Sequence, residues 1–242
     1  MACVVSTNFG PSGPLRDGAG VAKYRHEAVV AVLRVDAEDG LTCLLSRRRR
    51  APFEGQWALP SGPMEIDESL DEAVMRHLTR KTDIAELSHL EQLITRSAPG
   101  RDPFDRTVAT GYLGLVPWDA AGELPERASW EPVEQLRDMA FDHAAIVELA
   151  IERLRAKLSY TNIGFALAPD EFTIAQLRDA YVAVLGHDVS ATNLQRILRR
   201  RGQLEPTGNT APPGPEGGRP AALQRFTSRI LTVTDPFATL KP

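Results

Sequence analysis

Three side chains in one short stretch carry the first chemical signal. His77, Arg80 and Lys81 stand at i, i+3 and i+4, so a helix through them puts all three on one face. Two fixed cations and an imidazole on a shared face suit a phosphate and repel a divalent metal. At a surface-like dielectric, unit charges about 4 Å apart interact by roughly 4 kcal/mol, and a divalent ion feels more. No rearrangement of nearby Glu65, Asp67 or Glu68 offsets the cations at that position. A direct contact from Arg80 and Lys81 to a diphosphate is one expectation; surface ion pairs with Asp67, Glu68 or Asp71 are the other. The run Arg47 to Arg50 is open in the same way, between a pocket wall, a nucleic-acid contact and a solvated strand end.

A second basic concentration lies downstream. Between Val189 and Arg229, seven arginines (196, 199, 200, 201, 219, 225 and 229) meet two acids, Glu205 and Glu216, a local +5 in a chain of net charge −4. Such a patch in an acidic chain points to a directed polyanion surface.

The elements that must position these residues are legible from periodicity and caps. Tyr24 to Leu45 reads as a β-hairpin turning at Asp36 to Gly40, followed by a loop at Ala51 to Gly55 and a strand at Trp57. Asp67 or Glu68 opens a helix that ends near Lys81 to Asp83. Leu87 to Ser97 and Arg106 to Val116 read as strands, and Trp130 and Pro132 as loop. Phe141 to Leu158 is an amphipathic helix with Ile146, Leu149, Ala150, Leu154 and Leu158 on one side.

A different pattern then begins. Thr173 caps a helix carrying Ile174, Leu177, Tyr181 and Leu185, stopped by Gly186. Ser190 caps a second, Ala191 to Arg201, closed by Gly202. A strand from Leu204, a Pro/Gly-rich loop from Asn209 to Gly218 and a returning strand at Ala221 to Phe226 complete a winged helix-turn-helix. With Leu194, Ile197 and Leu198 inward, Thr192, Asn193, Gln195, Arg196, Arg199 and Arg200 point out. Asn and Gln suit adenine edges, Arg suits guanine or phosphate, and Arg219 suits a minor groove reached from the wing. A solvated helix end, where arginine favours the helix dipole, is the plainer account.

Bulk properties bound the rest. The 242 residues suffice for one large domain or two modest ones. No apolar run approaches the roughly 18 residues of a membrane span, and Met1 to Gly20 lacks a secretory pattern. Cys3 and Cys43 make neither a disulfide framework nor a zinc cluster. Cytoplasm is the expected compartment.

Gly62-Pro63-Met64-Glu65-Ile66-Asp67-Glu68, seven residues, then Arg76-His77-Leu78-Thr79-Arg80-Lys81-Thr82-Asp83-Ile84 resembles the Nudix signature G-x5-E-x7-R-E-U-x-E-E-x-G-U. Gly62, Glu68, Arg76, Leu78 and Ile84 fall in register, after the lead-in Trp57 to Gly62. The family places glutamates, oxygen donors for Mg²⁺, where His77, Arg80 and Lys81 stand, and a glycine where Asp83 stands. Formal charge at those three positions changes from −3 to +2, which implies a scaffold kept for sensing rather than hydrolysis.

Joined to a winged helix, this resembles the Nudix-related transcriptional regulators of the NrtR type. Glu91-Gln92-Leu93, Arg101-Asp102-Pro103, Thr192-Asn193-Leu194-Gln195-Arg196 and Gly218-Arg219-Pro220 support the likeness, while Phe104 and Gln224 depart from it. The resemblance implies an α+β chain: an N-terminal tail (1–21), a Nudix-like α/β/α sandwich for effector binding and dimerisation (22–158), a linker (159–170), a winged helix (171–230) and a C-terminal tail (231–242). It implies a homodimeric repressor of NAD metabolism genes on a palindromic double-stranded operator. ADP-ribose or a related nucleotide is the effector, with no metal or cofactor required. Its effector residues would be Arg47, Arg49, Trp57, Glu68, Arg76, Arg80, Lys81, Arg101 and Asp102. Its DNA residues would be Thr173, Thr192, Asn193, Gln195, Arg196, Arg199, Arg200 and Arg219. An active pyrophosphatase using Glu65 and Glu68, and a scaffold whose winged helix binds protein, are the rivals.

Overall fold

The computed structural model describes residues 16–120, 122–136, 138–212 and 220–237. Strand β1 (Arg25–Asp36) turns into β2 (Gly40–Arg47), where the Asp36 carboxylate accepts from the amides of Glu38 and Asp39. There follow β3 (Trp57–Ala58), β4 (Ser61–Pro63), α1 (Leu70–Thr82), β5 (His89–Arg96), β6 (Thr107–Leu115), β7 (Ala128–Pro132) and α2 (His143–Tyr160). The strands make a mixed seven-stranded sheet in the order β3-β2-β1-β6-β5, with β4 on β1 and β7 on β2. Long β1 runs parallel to β6 on one side and antiparallel to β2 and β4 on the other.

Alternation along β1 serves two layers at once. Val29, Ala31 and Leu33 face α2, packing with Ile146, Ala150 and Leu154. Ala28, Val30 and Val32 face α1, packing with Ala73, Val74 and Leu78. This is the expected α/β/α sandwich, with three local differences. Helix α1 begins after Ser69, because Ser69 and Glu72 form a reciprocal capping box that leaves Asp67 and Glu68 outside. Trp130 and Pro132, expected in a loop, belong to edge strand β7, where Pro132 sits at the end and its missing amide costs nothing to the ladder. Helix α2 begins at His143, since Phe141 has the left-handed φ of 56°.

The second half holds β8 (Phe172–Thr173), α3 (Ile174–Leu185), α4 (Ala191–Arg200), β9 (Leu204–Thr210) and β10 (Ala222–Phe226). A capping box between Thr173 and Gln176 starts α3, and Gly186, with φ 75°, ends it. The Ser190 hydroxyl caps α4. The sheet order β8-β10-β9 makes the wing, with β8 an unexpected third strand and β9 running on to Thr210. Arg219 and most of the expected loop lie outside the described residues, as does 1–15 of the expected N-terminal tail.

The expected linker is the largest departure. Within 159–170, residues 161–168 are all buried, and Ile163–Ala166 form a 3-10 turn. One apolar cluster continues from Val29, Leu33 and Leu154 through Ile163, Phe165 and Leu167 to Phe172, Leu177 and Phe226. Trp118 donates to the carbonyl of Leu167 and meets the Phe172 ring edge-on at 5.9 Å. Part of the expected C-terminal tail is also bound here. Asn162 and Thr232 exchange hydrogen bonds, and Thr234 donates to Tyr160 O. A sequence window of small apolar residues without clear periodicity reads as a connector, yet these residues fill the seam between two domains.

Gly164 shows how tight that seam is. A Cβ there would lie 2.7 Å from the buried Tyr181 Oη and 3.1 Å from the Phe226 ring. Calorimetry is expected to show a single unfolding transition for wild type. Gly164→Ala is expected to lower it as one unit, by about 1–3 kcal/mol of overpacking. Two separated transitions, with only one of them moved by the substitution, would contradict the shared core.

Candidate effector pocket and nucleic-acid interface

The residues of the Nudix-like stretch are arranged around internal hydrogen bonds. Glu68 and Arg76 form a bidentate pair, with Nε to Oε2 at 2.8 Å, and Arg76 also donates to Pro63 O. Glu68 accepts from the amide of Glu65, so the pair fixes the loop entering α1. The Arg76 hydrogen bond holds the Glu68 carboxyl down at about 2. His77 is buried, its ring filling the space over Gly62, where a Cβ would lie 2.1 Å from Cε1. Its Nε2 lies 2.9 Å from Pro63 O, and burial lowers its pKa. The Lys81 ammonium donates to Ser61 O at 2.6 Å; burial first, then the field of Arg48, brings its pKa down to about 8. Asp83 takes the left-handed conformation, φ 60°, at the helix end.

A Nudix fold implies a divalent metal at this face. An imidazole bonded to one carbonyl and an ammonium bonded to another offer no anionic oxygens, so these donors do not fit one. Among the described residues, no three His, Cys, Asp or Glu side chains gather into a metal cluster.

The same groups border a cavity of about 380 Å³ of strongly cationic character. Arg47, Arg48, Arg49 and Arg50 line it along the end of β2, Arg80 and Lys81 from α1, with Arg25 and Arg127 beside them. Among the described residues, Glu27 is the one carboxylate in the lining. The arginine run is therefore a pocket wall. Arg47 lies 4.1 Å over the Trp57 ring and Arg48 4.5 Å over Phe141, which orients both guanidinia. Neither Arg80 nor Lys81 makes the alternative ion pair with Asp67, Glu68 or Asp71.

Of the effector residues expected from sequence, Arg47, Arg49, Arg80 and Lys81 come together here. Trp57 stands behind Arg47 as a platform, and Glu68 and Arg76 are occupied with each other. Arg101 and Asp102 are buried instead of lining the cavity. Arg101 pairs with Asp142 at 2.7 Å, while the Asp102 carboxylate receives the amides of Phe104 and Asp105, bracing the loop before β6. Sequence reasoning missed Arg25, Glu27 and Arg127. Glu27 falls in an apolar strand where a lone acid reads as an edge residue, and Arg127 carries no local pattern.

The second site is α4 and its surroundings. Leu194 and Leu198 are buried, and Ile197 is half-buried. Thr192, Asn193, Arg196, Arg199 and Arg200 are exposed, and Gln195 is half-buried. Several are already partnered. Asn193 Oδ1 accepts from Arg196 at 2.6 Å, and Arg199 donates to Gln224 Oε1 at 2.8 Å, anchoring β10 to the helix. Gln224 is buried by that contact. The Thr173 hydroxyl is used in its capping box. Arg201 pairs with Asp235, Arg225 with Glu205 and Arg229 with Asp170, so the local +5 overstates the charge that faces outward. Among the described residues, Thr192 and Arg200 make no side-chain hydrogen bond or ion pair.

Behind the pocket, His143 is fully buried at the start of α2, with Nδ1 accepting from Leu59 N at 3.0 Å. Burial pushes its pKa down to about 3 from an ordinary 6.5. The folded value is the lower one, so this contribution to stability is complete above pH 6.5 and is lost as pH falls toward 3. His77 adds in the same direction. Denaturant titrations from pH 7 to 5 are expected to show stability falling at up to about 1.4 kcal/mol per pH unit per histidine. His143→Gln should flatten the slope; an unchanged slope would show that the ring is not held neutral.

The geometry has parallels among known proteins. Residues 24–150 match the NUDIX domain model, and residues 164–226 match the NrtR DNA-binding winged helix domain model. The ADPR responsive transcriptional repressor NtrR of Acinetobacter baylyi is 32% identical over 204 residues, covering 81% of this chain and 80% of that protein. Shewanella oneidensis NrtR, in its crystal structure with a 27mer DNA, superposes with a TM-score of 0.74 at 29% identity. That match spans 83% of this chain and 93% of the other. The NUDIX domain of the same protein, crystallised with ADP ribose, matches with a TM-score of 0.50 at 29% identity, over 57% of this chain and 93% of that one. Two domain models in tandem, and a relative similar along four-fifths of both chains, establish that this chain belongs to the Nudix-related NrtR family of transcriptional regulators.

Proposed function

We propose that the protein is a DNA-binding repressor whose Nudix domain senses ADP-ribose or a related nucleotide without hydrolysing it. The observation that carries this reading is the conversion of the metal face into a cavity wall. Eight cationic side chains (Arg25, Arg47 to Arg50, Arg80, Lys81 and Arg127) surround a space sized for a nucleotide. Fixed cations there neutralise a diphosphate by charge-assisted hydrogen bonds, and no metal-bound water is generated to attack it.

The winged helix supplies the output. In this reading Thr192, Asn193 and Gln195, early in α4, meet base edges, and Arg196 and Arg200 meet phosphate. Arg199 acts mainly by holding the wing to the helix. Two copies bind a palindromic operator with half-sites about 34 Å apart, and the effector favours a recognition-helix spacing that mismatches them. The regulated genes are those of NAD metabolism, and the compartment is the cytoplasm. The ADPR responsive repressor of Acinetobacter, and Shewanella NrtR crystallised with DNA and with ADP ribose, support the nucleotide-sensing and DNA-binding parts of this reading.

Fluorescence anisotropy on a labelled duplex from upstream of the protein's own gene, with excess nonspecific DNA, tests the reading. Specific binding that ADP-ribose weakens, equally in EDTA and in Mg²⁺, is expected. Absence of specific binding, or metal-dependent consumption of ADP-ribose, would overturn it. Arg200→Ala is expected to weaken binding across sequences and reduce the slope of log affinity against log salt by about 1. A loss restricted to one base position would instead assign Arg200 to base readout.

A further inference from the structure

Eight cations explain affinity for phosphate but not discrimination among phosphates. Unopposed, such a wall would hold inorganic pyrophosphate or a nucleoside triphosphate at least as well as a sugar-bearing diphosphate, because each added phosphate charge would gain more. Glu27 breaks that pattern. It sits at the start of β1, opposite Pro63 of β4, and is buried except where it meets the cavity. Its Oε1 lies 2.8 Å from Arg25 Nη2. Its Oε2 lies 3.9 Å from Arg101 Nη1, beyond hydrogen-bond reach, and that guanidinium nitrogen is buried with no hydrogen-bond partner. The carboxylate also sits within the fields of Lys81 and Arg48. A buried carboxylate oxygen with spare acceptor capacity, bordering a cationic cavity, is placed to receive a donor that a phosphate lacks.

We propose that Glu27 is the specificity-determining residue of the pocket, accepting a hydrogen bond from a ribose hydroxyl of the bound diphosphate. This rests on the nucleotide-sensing reading and deepens it by naming the residue that selects a sugar-bearing diphosphate over a free polyphosphate. A carboxylate gives a hydroxyl a short, charge-assisted bond, while it repels any further phosphate oxygen at the same place. A site built around a hydroxyl rejects analogues lacking one more strongly than a merely cationic site does, since the buried acceptor is then left unpaired. Arg25 and Arg101 flank the Glu27 carboxylate and orient it, and Asp142 in turn holds Arg101.

Isothermal titration of wild type and Glu27→Gln with ADP-ribose and with inorganic pyrophosphate, both in EDTA, tests the assignment. In wild type, ADP-ribose is expected to bind about tenfold or more tighter than pyrophosphate. Glu27→Gln, similar in shape but uncharged, is expected to weaken ADP-ribose by about tenfold while pyrophosphate holds or tightens. Glu27→Asp keeps the charge and withdraws the oxygen by one methylene; it should lose ADP-ribose without gaining pyrophosphate, and it serves if the amide variant folds poorly. Equal weakening of both ligands in Glu27→Gln, or an unchanged preference, would overturn the assignment while leaving the sensor intact. Failure of wild type to bind either ligand would overturn the sensor reading and this assignment together.

Discussion

Residues 161–168 are buried on both sides, by the Nudix sheet and α2 on one and by the winged helix on the other. A segment in that position cannot act as a flexible tether. The segment is buried along its length, and the C-terminal strap 231–237 closes over its start through Asn162 and Tyr160. Removing any of the large side chains in the seam would open a cavity that neither domain alone could relax into. The Nudix domain and the winged helix are therefore two sides of one core, in which α2 packs against α3. The Arg155 guanidinium, reaching from α2 to the carbonyl of Val184, adds a polar tie of the same kind.

The pocket imposes a complementary electrostatic constraint. With Lys81 tied to Ser61 O and His77 seated on Gly62, the helix face that holds a metal in hydrolytic relatives is packed by the chain's own side chains. The scaffold pair Glu68–Arg76 remains because it shapes the loop into α1, a task independent of chemistry. Next to the cavity, the N-terminal end of α2 carries Asp142 and His143, bonded to Arg101 and to Leu59. A chain of contacts thus runs from the cavity to α2: Glu27 borders the cavity, Arg101 lies between it and Asp142, and α2 leads from there to the seam. Spatial continuity of this sort identifies the route on which coupling should be sought.

Much of this was legible in the sequence, and the misses have physical causes. Hairpin, box helix, α2, both helices of the second domain and the wing strands follow from period and caps. The shift at the start of α1 comes from Ser69 outcompeting Asp67 and Glu68 through its reciprocal bond with Glu72. Strand β7 is short and ends in proline, so its membership of the sheet is set by β2, not by its own propensity. The 161–168 segment has no period because it is buried all round. In the site, arginines adjacent in sequence were easy to group, whereas Arg25, Glu27 and Arg127 meet only through the sheet. Arg101, Asp102 and Arg199 read as ligand or DNA contacts, and Arg201 as part of an open basic patch, because residue types alone do not show which charges are already paired.

A continuous buried core joins the Nudix sheet beside the pocket to helix α4. Hydrogen exchange of the full-length protein with and without ADP-ribose addresses it directly. Altered protection is expected at the cavity, along α2, and at 161–168 with the strap at 231–237, reaching α3 and α4. Protection changes confined to the cavity residues, with the seam and winged helix indifferent to ligand, would contradict it.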